Sequence, residues 1–151
     1  MVRLNSIKQI NDFLNQRGER LKSVSPMEIE NIERKYEVRL PSVYRDFLDL
    51  MGKSAGNYML GSSVFYDELF SLKQGVEELV EENNLEPIPA SAFIFWMHQG
   101  YQAAFFNIGE GDNPPVYYFT EGQDEKKFIL VEESLTNFFF EQLLMSYPDI
   151  Q

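Results

Sequence analysis

Histidine occurs once, as His98, and cysteine not at all. Those two counts decide most of the chemistry open to the chain. Without a thiol there is no disulfide, no thiolate nucleophile and no cysteine-based zinc or iron–sulfur site. A Ser–His–acid triad would have to use His98 as its base, yet no serine stands in the G-x-S-x-G context that presents a nucleophile. His98 follows an apolar run and precedes Gln99-Gly100, the setting of a hydrogen-bonded turn residue. The run Asn107-Ile108-Gly109-Glu110-Gly111-Asp112 spaces oxygen ligands loosely like a calcium loop. It lacks the regular Asp/Asn alternation and the terminal Glu, and reads as a solvated hairpin turn. Phosphate-binding glycine loops and zinc-protease motifs are absent. With 24 Asp and Glu, carboxylate pairs arise by chance, so a glycosidase pair is not legible. The expectation is a non-enzyme with no catalytic residue, no metal and no cofactor.

The charge balance carries more. Thirteen Lys and Arg against 24 Asp and Glu leave a formal net charge of −11. A chain this acidic is a poor duplex-binding candidate, because nucleic-acid affinity rests on cationic neutralisation of phosphates, so direct nucleic-acid binding is not expected. An anionic membrane surface would repel it, and the apolar run 92–97 is far too short to span one. The N-terminal residues carry no basic stretch followed by an apolar one, so no secretory signal is expected. A cytoplasmic location is the corresponding expectation, and the oligomeric state stays open.

Glu77, Glu78, Glu81 and Glu82 concentrate the acid. At i,i+4 spacing they form two like-charged pairs, each costing an isolated helix roughly 0.2–0.5 kcal/mol. Lys73, four residues before Glu77, offsets part of this. One reading is a solvated face; the other is a surface kept acidic for a cationic partner. Glu110, Asp112, Asp124 and Glu125 add carboxylates in turns, and all eight are candidate partner contacts. His98, Gln99 and Tyr101 are the next candidates should the contact lie on a sheet instead.

The elements that must position these residues follow from periodicity. Leu4, Ile7, Ile10 and Leu14 stripe a helix over residues 4–16, which Gly18 ends. Ser25-Pro26-Met27-Glu28 is a capping box with Pro at the first helical position, and Ile29, Ile32 and Tyr36 mark the buried face behind it. Leu40-Pro41 breaks that run. Pro41 opens a helix with Tyr44, Phe47, Leu48 and Met51 inward, stopped by Gly52. Residues 53–63 read as a loop. Residues 72–84 are helical again, with Val76, Leu79 and Val80 inward and the glutamates outward. The period then changes. Residues 93–97, 101–107, 116–120 and 128–131 are short, aromatic and β-branched, separated by Gly, Asp, Asn and Pro turns. In the first of these both alternating faces are apolar, so it should be covered on both sides. Trp96, Tyr101, Phe105, Phe106, Tyr117, Tyr118 and Phe119 read as core rather than as a ligand groove, with some of the tyrosines facing outward. Ser134 caps a closing helix in which Leu135, Phe138, Phe139 and Leu143 make one stripe and Phe140, Leu144 and Tyr147 a second. The pattern predicts one α+β domain over residues 1–151, an antiparallel β-sheet of about four to six strands packed by N-terminal helices and a closing C-terminal helix.

The ordered set of Ser25–Glu28, Leu40-Pro41-x-x-Tyr44-x-x-Phe47-Leu48, His98-Gln99-Gly100-Tyr101, Pro114-Pro115-Val116-Tyr117-Tyr118 and Ser134-Leu135-x-x-Phe138 resembles the SUKH superfamily. That superfamily includes fungal cell-wall-assembly regulators and bacterial immunity proteins. The resemblance runs from about residue 25 to 144. It implies an antiparallel sheet packed by helices, and a cytoplasmic non-enzyme that neutralises a cognate toxin by direct binding. Many such toxins are nucleases, basic where they hold phosphates, which suits the −11 charge. The alternative it implies is a regulatory adaptor of the cell-wall-regulator type. Leu40, Pro41, Tyr44, Trp96 and Tyr117 match best and read as structural, so they are not carried over as binding residues.

Overall fold

A computed structural model describes residues 3–150. Helix α1 (Ile7–Gln16) starts at Ser6, whose hydroxyl accepts the Gln9 N–H at 3.1 Å. The periodicity begins earlier, at Leu4, but Ser6 in extended conformation takes the cap, and Leu4 packs on the core from outside the helix. The two-residue strand β1 (Leu21–Lys22) leads to α2 (Pro26–Tyr36). The capping box forms as read: Glu28 N–H to Ser25 Oγ at 3.2 Å, Ser25 N–H to Glu28 Oε1 at 3.0 Å. Helix α3 (Ser42–Met51) buries Tyr44, Phe47, Leu48 and Met51.

The stretch read as a loop contains structure. It holds β2 (Ser54–Ala55) and β3 (Ser62–Ser63), and α4 (Tyr66–Leu69) follows. Two-residue strands have no period of their own. Their existence depends on partners remote in sequence: β2 pairs with β1, and β3 with Met97 and His98. Helix α5 (Leu72–Glu82) comes next, then β4 (Ala92–His98), β5 (Gln102–Asn107), β6 (Val116–Thr120), β7 (Ile129–Glu132) and α6 (Leu135–Ser146), closed by a short 3-10 turn, Pro148–Ile150.

The main sheet is five-stranded and antiparallel in the order β3-β4-β5-β6-β7. One irregularity decides how it is packed. The β4–β5 register shifts between Ile94 and Trp96, so Phe95 is a bulged residue. The bulge breaks alternation and puts Phe93, Phe95 and Trp96 on the same side. There Phe93 and Phe95 meet Tyr44 of α3 at ring-centroid distances of 5.5 and 6.1 Å, and Phe95 and Trp96 meet Phe138 of α6 at 5.2 and 5.5 Å. Met97 points to the other face, against α5. A Cβ on Gly75 would lie 2.8 Å from the Met97 sulfur, so glycine lets this helix approach. The sheet is thus sandwiched between α3 with α6 on one face and α5 on the other, and β4 is covered on both sides as its double apolar pattern required.

Candidate functional site

The candidate residues fall on two ends of the sheet. At one end, β4 turns into β5 through Gln99 at φ 51° and Gly100 at φ 79°, with the Tyr101 N–H donating to His98 O at 3.3 Å. Two successive left-handed residues make the tight turn whose twist suits a hairpin. Gln99 and Tyr101 are exposed, and His98 is half-buried with its ring stacked on Trp96. His98 Nδ1 lies 3.0 Å from Ser62 Oγ. A serine and a histidine in hydrogen-bond reach are two parts of a nucleophilic device. Here no third group orients the imidazole among the described residues, and the two residues are directly opposed across the β3–β4 ladder. Ser62 escaped the sequence reading because its strand has no periodic signal.

This end is continuous with the acidic helix. The Glu121 N–H donates to Tyr101 O at 2.9 Å, and Glu121 Oε1 accepts from Asn83 Nδ2, just past α5, at 3.2 Å. The Glu86 N–H donates to Lys126 O at 2.8 Å. Gln123 holds the turn between, donating to the carbonyls of Glu125 and Lys127. The turn that carries Asp124 and Glu125 is therefore tied to the C-terminal end of α5, the helix on which Glu77, Glu78, Glu81 and Glu82 all stand exposed. The ion pairs of the described residues are Arg3–Glu141, Arg17–Asp149, Arg34–Glu30 and Lys53–Glu28. None relieves the α5 glutamates.

Glu110 and Asp112 lie at the opposite end of the strands, in the loop from β5 to β6. Glu110 accepts from Asn107 Nδ2 at 2.6 Å. Asp112 works on α3: its carbonyl accepts the Val43 N–H at 3.1 Å and its carboxylate the Ser42 N–H at 3.4 Å. A negative charge there is favoured by the helix dipole. Asn113 Oδ1 accepts the Thr136 N–H at 3.0 Å at the start of α6. The loop ties together the N-termini of the two helices that cover the aromatic face. Among the described residues no group of three or more His, Asp or Glu is placed to hold a metal ion.

Two grooves were invisible in the sequence. One, of about 570 Å³, lies between α2 and α3 and carries Glu30, Glu33, Asp46 and Asp49 beside Arg45. Glu30 is engaged by Arg34 and Glu33 by the Leu40 N–H. The other, of about 630 Å³, runs along α5 and the start of β4. It is lined by Tyr36, Val38, Leu69, Ile88 and Phe93, with Lys73 and Glu77 among its few polar groups. Each groove joins segments distant in sequence, so periodicity could not reveal it.

Residues 26–139 match the SUKH_6 family model, described as SMI1-KNR4 cell-wall. The chain belongs to the SUKH superfamily. The match takes in α2, both grooves, the whole five-stranded sheet and the first part of α6, and leaves α1 outside. No curated protein matches the chain. SUKH membership supports a role of the immunity or cell-wall-regulator kind, exercised on a protein partner. No helix among the described residues of this SUKH chain is long and apolar enough to cross a membrane.

Proposed function

We propose that this SUKH protein is an immunity-type binding protein. It occludes a cognate basic toxin, a nuclease, with the acidic side built from α5 and the 121–126 turn. It works in the cytoplasm and without catalysis. One observation carries the reading: four exposed glutamates without an ion-pair partner stand on one helix, beside an apolar groove. Uncompensated charge steers a basic partner, while apolar anchors supply residence time. The α2–α3 groove is the weaker candidate, since its own chain already engages Glu30 and Glu33.

An immunity role predicts a toxin gene beside this one, and the test is co-expression with the toxin domain it encodes. The chain should restore growth and form a complex whose association slows as salt rises. Glu78→Lys with Glu82→Lys should slow association several-fold at low salt, with the difference shrinking at 1 M, where the Debye length is about 3 Å. Equal rates and equal salt slopes would reduce α5 to a solvated face and move the search to His98, Gln99 and Tyr101. The cell-wall wording of the matched family favours one other reading, a regulatory adaptor. An adaptor binds several partners weakly, and growth would not depend on it in that assay.

A further inference from the structure

The five-stranded sheet is incomplete along one edge. β3 pairs only with Met97 and His98, so among the described residues the first part of β4 has no strand on the side away from β5. The hydrogen-bond phase there is readable. The Ile108 N–H donates to Ser91 O at 2.8 Å, and Phe93 is opposite Phe106 two residues further along each strand. Antiparallel pairs alternate, so 91/108 and 93/106 are the bonded pairs. Ala92 and Ile94 therefore turn their backbone groups away from β5. The Ala92 N–H is taken by Pro89 O at 3.1 Å. No strand among the described residues stands opposite the Ala92 carbonyl and the backbone groups of Ile94 on that side, and both residues are half-buried. The apolar groove of about 630 Å³ lies on this edge, with Ala92, Phe93 and Ile94 as part of its lining. Tyr36 and Val38, at and just after the end of α2, form one wall; Leu69 of α4 with Lys73 and Glu77 of α5 form the other. The bulge at Phe95 ends the usable edge.

We propose that this groove receives an extended segment of the partner protein, which adds a strand to the free edge of β4 between α2 and α5. This rests on the reading of the chain as a protein binder. Strand addition gives main-chain hydrogen bonds, and the pockets beside the edge select alternate side chains. The chemistry of the walls describes the segment. Apolar, β-branched residues face Tyr36, Val38 and Leu69. Lysine or arginine flanks them, because Glu77 stands at the groove and Glu78, Glu81 and Glu82 follow on the same helix.

The probe is the peptide acetyl-Lys-Lys-Val-Thr-Val-Ile-Lys-Lys-amide, titrated into the full chain while amide hydrogen exchange is followed. In the free chain the Ile94 amide should exchange quickly and the Phe93 amide slowly. Saturating peptide should slow Ile94 exchange about tenfold or more, the signature of a newly made backbone hydrogen bond. The same peptide N-methylated through its central residues, and the Ala90→Trp chain with a ring added at the groove, should show no such protection. Ile94 already protected in the free chain, no protection at saturation, or equal protection by the N-methylated peptide would each overturn the proposal. Growth rescue that persists without peptide protection would leave the toxin-binding reading standing and remove the strand. Peptide protection without growth rescue would do the reverse.

Discussion

The two helical layers of this domain are held in different ways. On the α3 and α6 face, rings interlock: Phe47 stacks on Phe139 at 4.6 Å, and Phe95 meets both Phe138 and Phe139. Helix α6 begins at Ser134, whose hydroxyl accepts the Asn137 N–H, and Asn113 supports the same terminus. On the other face α5 packs with the aliphatic Leu72, Val76 and Leu79, carries Gly75 in its interior, and has no side-chain cap. The Ser71 hydroxyl at its start donates backwards to Glu68 O instead. Its outer face repels itself. One layer interlocks aromatic rings, and the other keeps locally unfavourable choices on its outer face. Such departures from local consistency concentrate where a surface serves something other than folding.

The largest difference between the two layers should lie in the core. Phe139→Ala should cost about 3–5 kcal/mol, whereas Leu79→Ala under α5 should fall near the low end of the ~2–5 kcal/mol range for leucine. Equal shifts of the denaturant midpoint would mean that the two layers are equally well packed.

Capped and uncapped helix starts should differ next. Ser25→Ala should cost about 1 kcal/mol, the usual value of a lost N-cap. Ser71→Ala should leave thermal stability nearly unchanged, because that hydroxyl caps nothing in α5.

Acid should weaken the start of α2, which lies outside both layers. Lys53 Nζ lies 2.9 Å from Glu28 Oε1, and this contact, with the Ser25 N–H, holds the Glu28 pKa down to about 2 against an ordinary 4.5. A carboxylate depressed in the folded state stabilises above its unfolded pKa and loses that contribution as pH falls through its folded one. The Glu28 contribution is therefore complete above about 4.5 and lost towards 2. Glu19, held down by the Asn57 N–H, and Asp149, held down by Arg17, act in the same direction. A Lys53→Met chain should show a shallower loss of melting temperature between pH 5 and pH 2, about the two ends of the Glu28 titration. An unchanged slope would show that Lys53 does not hold that carboxylate.

The smallest effect is the most pointed. Glu82→Lys turns a repulsive i,i+4 pair into an attractive one near a helix C-terminus, and should stabilise the chain by roughly 0.4–1 kcal/mol. The same change should slow association with a basic partner. Loss of stability instead would mean that the acidic face is not a local burden.

Local chemistry made several elements legible before any packing. Ser25-Pro26-Met27-Glu28 specifies a helix start by itself, since both hydrogen bonds of the box lie within four residues. Tyr44, Phe47, Leu48 and Met51 mark one face by spacing alone, and the aromatic β-branched run 116–120 matched β6 residue for residue. The exposure of the α5 glutamates follows from the same period. Tertiary structure decided what depends on distant partners. β1, β2 and β3 are two residues each and exist only through their ladders. The bulge at Phe95 chose which rings share a face, because a one-residue insertion reverses alternation and is set by the opposing strand. The tie between Asp112 and the start of α3, the tie between Tyr101 and Glu121, and the groove at the free edge of β4 all join segments that spacing along a chain cannot relate.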